Sequence, residues 1–557
     1  MIAKVLKSLG LLSIVLVLAS CVSLPFSPVD QLGPELATAG SNESLYYSPA
    51  GPSAGANQEQ LINGFLYAGN GPQDDYSVAR KFLTLNYSSK WHPSYETLIQ
   101  TGSVTILSNT GTKLRLEVHY DARVEADGTY ISEPGASRIL EFRLLQENGE
   151  WRISSAPNLT VLLLPNFKVL FKAVPVYFWD KSFSYLVPDI RWFPTRASLA
   201  TKLTNALIAG PAKWLSPAVQ NILPEGTKLN INSVTVDNGT ASIDFNSSAL
   251  KIPSWKRPYL RSQLLATLGS VSGINQISIS VERTVQVIGV GASGMPENNS
   301  TLPVIMTRDG LSHVAGTTQL EIVGTKELLA KETAKAFALS SDETLVVLLG
   351  ATGIRAHNVG LLGNSSRLID DRKGLLKPNI DSLNNIWTAS RIRGSALRVT
   401  DVLGNQISLP NPFGPKGQIE GIAISSEGAR LAILHKVPGG QRVDVFAVTR
   451  DKSRKVIALG TPEPVTGFGN SIQEIGWLDQ ASLIGLVKSA DGFQSSTTVM
   501  VGGPTIQGQR TSAGTSVVGV VGGTQYYLNA SGELYVSASF GWTFVRSDVV
   551  ALRMAGQ

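Results

Sequence analysis

The sequence is poor in cysteine, histidine and charge. Of its 557 residues one is Cys and five are His, and Asp, Glu, Lys and Arg together make 16%, against roughly 25% in an ordinary soluble domain. A single thiol excludes an internal disulfide, so every domain must be held by an ordinary core. Low charge beside 43% hydrophobic residues excludes a mainly disordered chain, which has too little apolar surface to bury. Beyond the N-terminus no uninterrupted apolar run reaches the roughly 18 residues of a spanning helix. A formal net charge of +6, spread over this length, is no nucleic-acid footprint. The length itself suits about three or four domains.

What is present begins at the N-terminus. Lys4 and Lys7 precede Leu9 to Ala19, which is almost wholly apolar and about as long as a signal-peptide core. Leu18-Ala19-Ser20-Cys21 follows, with small residues before the only thiol. This resembles a bacterial lipobox. The resemblance implies cleavage between Ser20 and Cys21, a diacylglycerol thioether on Cys21 and a fatty acyl chain, such as palmitate, on its new amino group. Two or three such chains, at roughly 0.8 kcal/mol per buried methylene, make a stable anchor. No Lys or Arg occurs between Lys7 and Arg80, so positive charge stays on the cytoplasmic side and the rest is free to cross. The expectation is a signal peptide at 1–20 and a mature chain lipid-anchored on the extracytoplasmic face of the cell membrane. Residues 21–57, rich in Pro, Gly, Ser and Ala, read as a tether.

The folded part reads as two small α+β domains followed by an all-β domain. Over 58–155, helical spacing (Leu61, Phe65, Leu66) gives way to alternation (Leu114, Leu116, Val118) and a turn at Asp127-Gly128. That order suits a cystatin-like α+β domain. Residues 156–290 read as a strand-bearing connector with Val161–Leu164, then a second α+β unit. In that unit Pro194 to Ser198 opens a helix with the stripe Leu199, Leu203, Ala206 and Leu207, closed by Gly210-Pro211. A strand over Leu229–Val236, an Asn238-Gly239 hairpin turn, a helix after Pro258 and a strand at Ile277–Val281 complete it. A helix ending Ala209-Gly210-Pro211, then Leu223-Pro224-Glu225-Gly226-Thr227, then a hairpin into Ile243-Asp244-Phe245, resembles the GerMN domain of exported envelope and sporulation proteins.

Residues 291–557 read as a linker and short strands separated by Gly, Ser, Asn and Asp. Phe337 to Asp342 is echoed by Ile422 to Glu427, and more weakly by Tyr527 to Gly532; Ile386-Trp387-Thr388 and Gly476-Trp477-Leu478 form Trp-led units. Steps of about 40–50 residues suit the four-stranded blades of a propeller, here roughly six, with a β-sandwich as the alternative. Lipobox, tether, α+β domain, GerMN-like domain and propeller, in this order, resemble the actinobacterial LpqB lipoprotein family. Pro175 to Pro211 and Ile419–Leu434 carry most of that match. The resemblance implies an envelope lipoprotein acting with a two-component system of the MtrA–MtrB type, its GerMN and propeller regions meeting the sensor kinase's extracellular part.

A search for chemistry finds little. His92, His119, His313, His357 and His435 lie far apart, and no metal-ligand spacing joins them. Gly289 to Gly294 spells G-x-G-x-x-G, but Met295 to Ser300 is a poor helix start, and the string reads as a linker. Asp74-Asp75 and Asp370-Asp371 read as solvated turns, and Arg450–Lys455 as an exposed hairpin. Tyr177, Phe178, Trp179, Phe183, Tyr185, Trp192 and Phe193 crowd one stretch, read as core before docking surface. The expectation is a binding and signalling accessory, not an enzyme, with no cofactor, no metal and no nucleic acid. Its partners would be membrane lipid through Cys21 and a sensor kinase. A glycan- or solute-binding lipoprotein, with cell-wall glycan as a ligand, and a propeller-type hydrolase are the alternatives.

Overall fold

The computed structural model describes residues 49–195, 198–291, 293–295, 302–359, 365–520, 523–539 and 541–556. The leader and the Ser20/Cys21 lipidation site lie outside the described residues, as does the tether up to Ser48.

The first module packs helix α1 (Gln58–Ala68) on a mostly antiparallel sheet. Asn57 and Gln60 form a reciprocal capping box that starts α1, and Leu61, Ile62, Phe65 and Ala68 are its buried face. The sheet runs 150–155, 130–147, 113–125, 96–100, 160–163. Along 113–125 burial alternates, with Leu114, Leu116 and Val118 pointing inward. Two segments differ from the sequence reading. Residues 49–57 belong to this module, where the Gly55 N–H donates to the Glu150 carboxylate at 3.0 Å. Thr160–Leu163, read as connector, pairs in parallel with 97–100 as the sheet's edge.

The second module holds a long hairpin, Phe171–Asp180 with Leu186–Pro194. Helices α2 (Leu199–Ala209) and α3 (Arg257–Leu268) pack against it and a four-stranded sheet. Leu203, Ala206 and Leu207 of α2 are buried, as are Leu260, Leu264 and Leu268 of α3. Asn238 and Gly239 take φ values of 46° and 79°, the left-handed pair a tight hairpin needs. The return strand Thr240–Phe245 pairs in parallel with Gln276–Val281, with α3 between them in sequence. The strand expected over 229–236 is confined to Thr235–Asp237 plus one bridge, Leu229 to Phe245. The Ser233 N–H folds back onto the Ile231 carbonyl at 2.6 Å and breaks the ladder. Pro194 ends a strand, and α2 begins only at Leu199.

Residues 289–291 and 293–295 are not helical, and 296–301, read as a poor helix start, lie outside the described residues. Gly294, at φ +65°, sits so close to the Trp179 ring that a Cβ would collide with it. Its carbonyl accepts the Leu186 N–H at 2.6 Å. This glycine serves close packing of a linker, not a phosphate cradle.

The third module is a six-bladed propeller, each blade a four-stranded antiparallel sheet. Blades 2 to 6 follow the chain at 334–370, 379–409, 419–465, 472–511 and 514–546. Blade 1 is assembled from both ends: 304–307, 310–315 and 318–321 pair with an innermost strand, Ala551–Arg553, from the C-terminus. Innermost strands neighbour one another in a closed ring, from 551–553 through 334–339, 379–380, 419–424, 472–477 and 514–519 back to 551–553. A sandwich has no such ring.

Several sequence echoes are not equivalent in space. Phe337–Asp342 and Ile422–Glu427 are both innermost strands entering a turn, whereas Tyr527–Gly532 joins the second and third strands of blade 6. Trp387 sits on a second strand and Trp477 on an innermost one. Asp370 is not solvated: it is fully buried, paired with Arg372 at 2.6 Å and Arg398 at 3.2 Å. Burial alone would raise its carboxyl, but hydrogen bonds from Arg372 and Thr388 hold it below the usual range. Arg450 likewise turns inward, to Asp381 of blade 3 at 2.6 Å.

Candidate functional site

The six turns that follow the innermost strands surround one end of the propeller channel, and their chemistry repeats. Ser340 Oγ donates to Asp342 at 2.5 Å and accepts the Leu345 N–H at 3.0 Å. Ser425 Oγ does the same with Glu427 at 2.6 Å and the Arg430 N–H at 3.1 Å. Asp381 accepts the N–H groups of Leu383 and Asn385, and Asp479 those of Ala481 and Ser482. In these four of the six turns the first polar residue therefore locks the backbone. The next one, Ser341, Ser382, Ser426 or Gln480, is left to line the mouth. The Ser-Ser-acid echo was visible in the sequence, but its division of labour was not.

Over this mouth lies the hairpin of the second module. Between them is a cavity of about 820 Å³, with Pro175, Tyr177, Pro188 and Ile190 on the roof and the polar turns below. The Tyr177 hydroxyl donates to Gln480 Oε1 at 3.3 Å. Burial pushes this phenol above its ordinary value, with Arg430 opposing and Asp479 adding to the rise. Arg430 lies 4.6 Å from the Trp477 ring and pairs with Glu427 at 2.7 Å. Glu427 Oε2 and Arg430 Nη2 of that buried pair have no hydrogen-bond partner. The cavity can therefore hold a ligand with several hydroxyl or amide groups and an apolar face.

The aromatic stretch is mainly core. Tyr177, Phe178, Trp179, Trp192 and Phe193 are buried. Trp192 joins all three modules: its ring lies tilted against Phe167, centroids 4.9 Å apart, and its indole N–H donates to the Gly502 carbonyl at 2.8 Å. An aromatic that does face solvent is Trp255, 58% exposed, beside Phe183 and Lys256. The histidines are scattered: His92 and His119 are exposed, and His313, His357 and His435 face Glu343, Glu332 and Asp444 respectively. Among the described residues no three of His, Cys, Asp and Glu gather to hold a metal ion, and no helix is long and apolar enough to cross a membrane.

Glu463, on the outer strand of blade 4, lies near Asp189 of the second module and Asp444 of its own blade. Burial, with help from those two carboxylates, lifts its pKa from the usual 4.5 to about 7. The folded state thus keeps a proton that the unfolded chain has released between those pH values. Stability is expected to fall as pH rises through that window and to level off above it. Glu463→Gln should match wild type near pH 4.5 and exceed it by on the order of 2 kcal/mol at pH 8. Urea denaturation at the two pH values checks this; equal curves at pH 8 would place the proton elsewhere.

Comparison with known proteins follows the same three modules. Residues 51–168 match the model described as lipoprotein LpqB, N-terminal domain; 175–285 match sporulation and spore germination; 309–551 match lipoprotein LpqB beta-propeller domain. A relative called lipoprotein LpqB from Nocardia farcinica is 24% identical, over 95% of this chain and 93% of its own length. Another of that name, from Cutibacterium acnes, is 28% identical over 47% of this chain, and the match spans less than half, 44%, of that relative. The first GerMN domain of the sporulation protein GerM from Bacillus subtilis shares 21% identity over 22% of this chain and 96% of that one, with a TM-score of 0.19.

Proposed function

The chain belongs to the LpqB lipoprotein family and is a membrane-associated envelope lipoprotein; from this we propose that it works as a non-enzymatic accessory of a sensor kinase of the MtrA–MtrB type. Lipid on Cys21 holds it at the extracytoplasmic face. There, confinement to the plane of the kinase raises effective concentration, so a modest intrinsic affinity suffices. The observation that carries the reading is the family match along all three modules in order. Further support comes from the way the modules join. Arg191 and Trp192 bind them into one body able to present a fixed surface, with Trp255 exposed on the second module.

The test is co-purification of the kinase from detergent-solubilised membranes, with wild type and Cys21→Ala, beside labelling by a fatty-acid probe. Wild type should take up the probe and recover the kinase. The variant should stay unlabelled and recover it several-fold less. Equal recovery would sink the tethering argument. A second reading, binding of an envelope glycan or solute, is favoured by the cavity and its serine ring. It would show as a melting shift that grows with the logarithm of ligand concentration.

A further inference from the structure

The middle of the propeller ring holds an unbalanced set of charges. Lys377 lies two residues before the innermost strand of blade 3, yet its Nζ reaches Glu474 Oε1 of blade 5 at 2.5 Å and Ser516 Oγ of blade 6 at 2.8 Å. A blade 3 side chain meets blades 5 and 6 only across the axis of the ring, so these groups lie in the central channel. Lys377 keeps 38% of its side chain accessible there, as expected of a group facing channel space and not packed core. Removal from bulk water pulls its ammonium below the ordinary range; Glu474 opposes the shift and Arg553 deepens it.

Arg553, on the closing strand of blade 1, completes the cluster. It is 6% exposed, and its guanidinium makes no hydrogen bond or direct ion pair with any described residue. Its charge is nevertheless felt at Lys377 and it feels that of Glu474. Glu474 Oε2 is buried without a hydrogen-bond partner. Two cations therefore face one carboxylate, and the surplus positive charge remains whichever way Arg553 turns. Glu420, on the innermost strand of blade 4, is already shared by Arg391 and Lys436 at 3.7 Å and 3.6 Å from its carboxylate. No Arg553 nitrogen is among the atoms sealed away without a hydrogen-bond partner, so the guanidinium opens onto channel space, where an anion would offset the surplus positive charge.

We propose that the propeller channel is a binding site for a small oxyanion, held by the Arg553 guanidinium, the Lys377 ammonium and the Ser516 hydroxyl. The planar fork of Arg suits the paired oxygens of phosphate or carboxylate. Lys377 supplies a second charge, and Ser516, which accepts from Lys377, keeps its own O–H to donate. Entry is from the roofed cavity, whose wall includes Met554, Ala555 and Gly556 directly after Arg553. The site is separate from any kinase-docking surface and stands or falls without it.

Titration calorimetry of the full chain in detergent, at constant ionic strength in chloride, provides the test, with inorganic phosphate and acetate as probes. Wild type should bind at least one of them saturably at a single site. Arg553→Gln and Lys377→Gln should each weaken binding about tenfold. Glu474→Gln should tighten it, because it removes the competing carboxylate. Should Arg553→Gln fail to fold, the opposite signs at Lys377 and Glu474 carry the test unaided. A preference for phosphate or for acetate says which oxyanion the channel favours. No saturable binding of either, or the same affinity in every folded variant, overturns the proposal.

Discussion

A chain ending at Val550 is expected to lose the cooperative unfolding transition of its propeller. The residues removed are few, but Ala551–Arg553 is the innermost strand of blade 1 and the piece that closes the ring. It pairs with Val304–Met306 and lies between strands 334–339 and 514–519. Leu552 is 1% exposed, and loss of such a side chain alone costs about 2–5 kcal/mol. The truncation also removes the ladder to blade 1 and the bond from the Gly556 N–H to the Leu339 carbonyl at 2.7 Å. Set against a typical total of about 5–15 kcal/mol, the sum leaves the propeller little or no net stability. Urea denaturation followed by tryptophan fluorescence should show an early or broadened transition, and Leu552→Ala a milder loss of about 2–4 kcal/mol. A wild-type midpoint for the truncated chain would mean the ring is closed some other way.

That closure was also the part of the propeller hardest to read from the sequence. Local signals carried well: Asn238-Gly239 gave its hairpin, the leucine stripes of α2 and α3 gave their buried faces, and the repeat spacing gave six blades. The first two depend on residues within a few positions of one another, and the third on a regular spacing along the chain. Pairing partners far apart in sequence leave no such trace. An apolar run at 160–163 reads as a strand, but nothing in it says that its neighbour is 97–100. Three residues at 551–553 say nothing of Val304. Trp387 and Trp477 looked alike because repeats were matched by side chain, whereas the propeller repeats turn chemistry.

The same limit governs the functional residues. The Ser-Ser-acid turns were legible, since Ser340 and Ser425 act on groups two and five positions away. The channel cluster was not, because Lys377, Glu474, Ser516 and Arg553 come from four different blades. Asp370 was misread for a related reason. Its neighbour Asp371 suggested a solvated pair, while one of the partners that hold it buried, Arg398, comes from another strand. Adjacent acids in extended chain point to opposite sides, and only one of these two faces inward.

Arg191→Met is expected to cost about 3–5 kcal/mol, the usual result of leaving one half of a buried ion pair behind. Arg191 is 1% exposed and joins two modules: it donates to Asp127 at 2.5 Å and Thr129 at 2.7 Å in the first, and to Asp189 at 2.7 Å in its own. Burial alone would lower the guanidinium's pKa, but the charges and hydrogen bonds of Asp189 and Asp127 outweigh it and hold it above its ordinary value. Without it, buried Asp189 keeps only the Ala212 N–H at 2.7 Å and still faces Glu463 of the propeller. The penalty is then mostly that of an uncompensated carboxylate, and it should be removable. Asp189→Asn placed on top of Arg191→Met should restore more than half of the lost stability, and it should let Glu463 release its proton at lower pH. Urea denaturation of the two single variants and the double checks the first point, because neighbouring groups that share a network do not add. If Arg191→Met costs no more than about 0.5 kcal/mol, or if the double variant is as unstable as the two singles summed, this arginine is not what joins the modules.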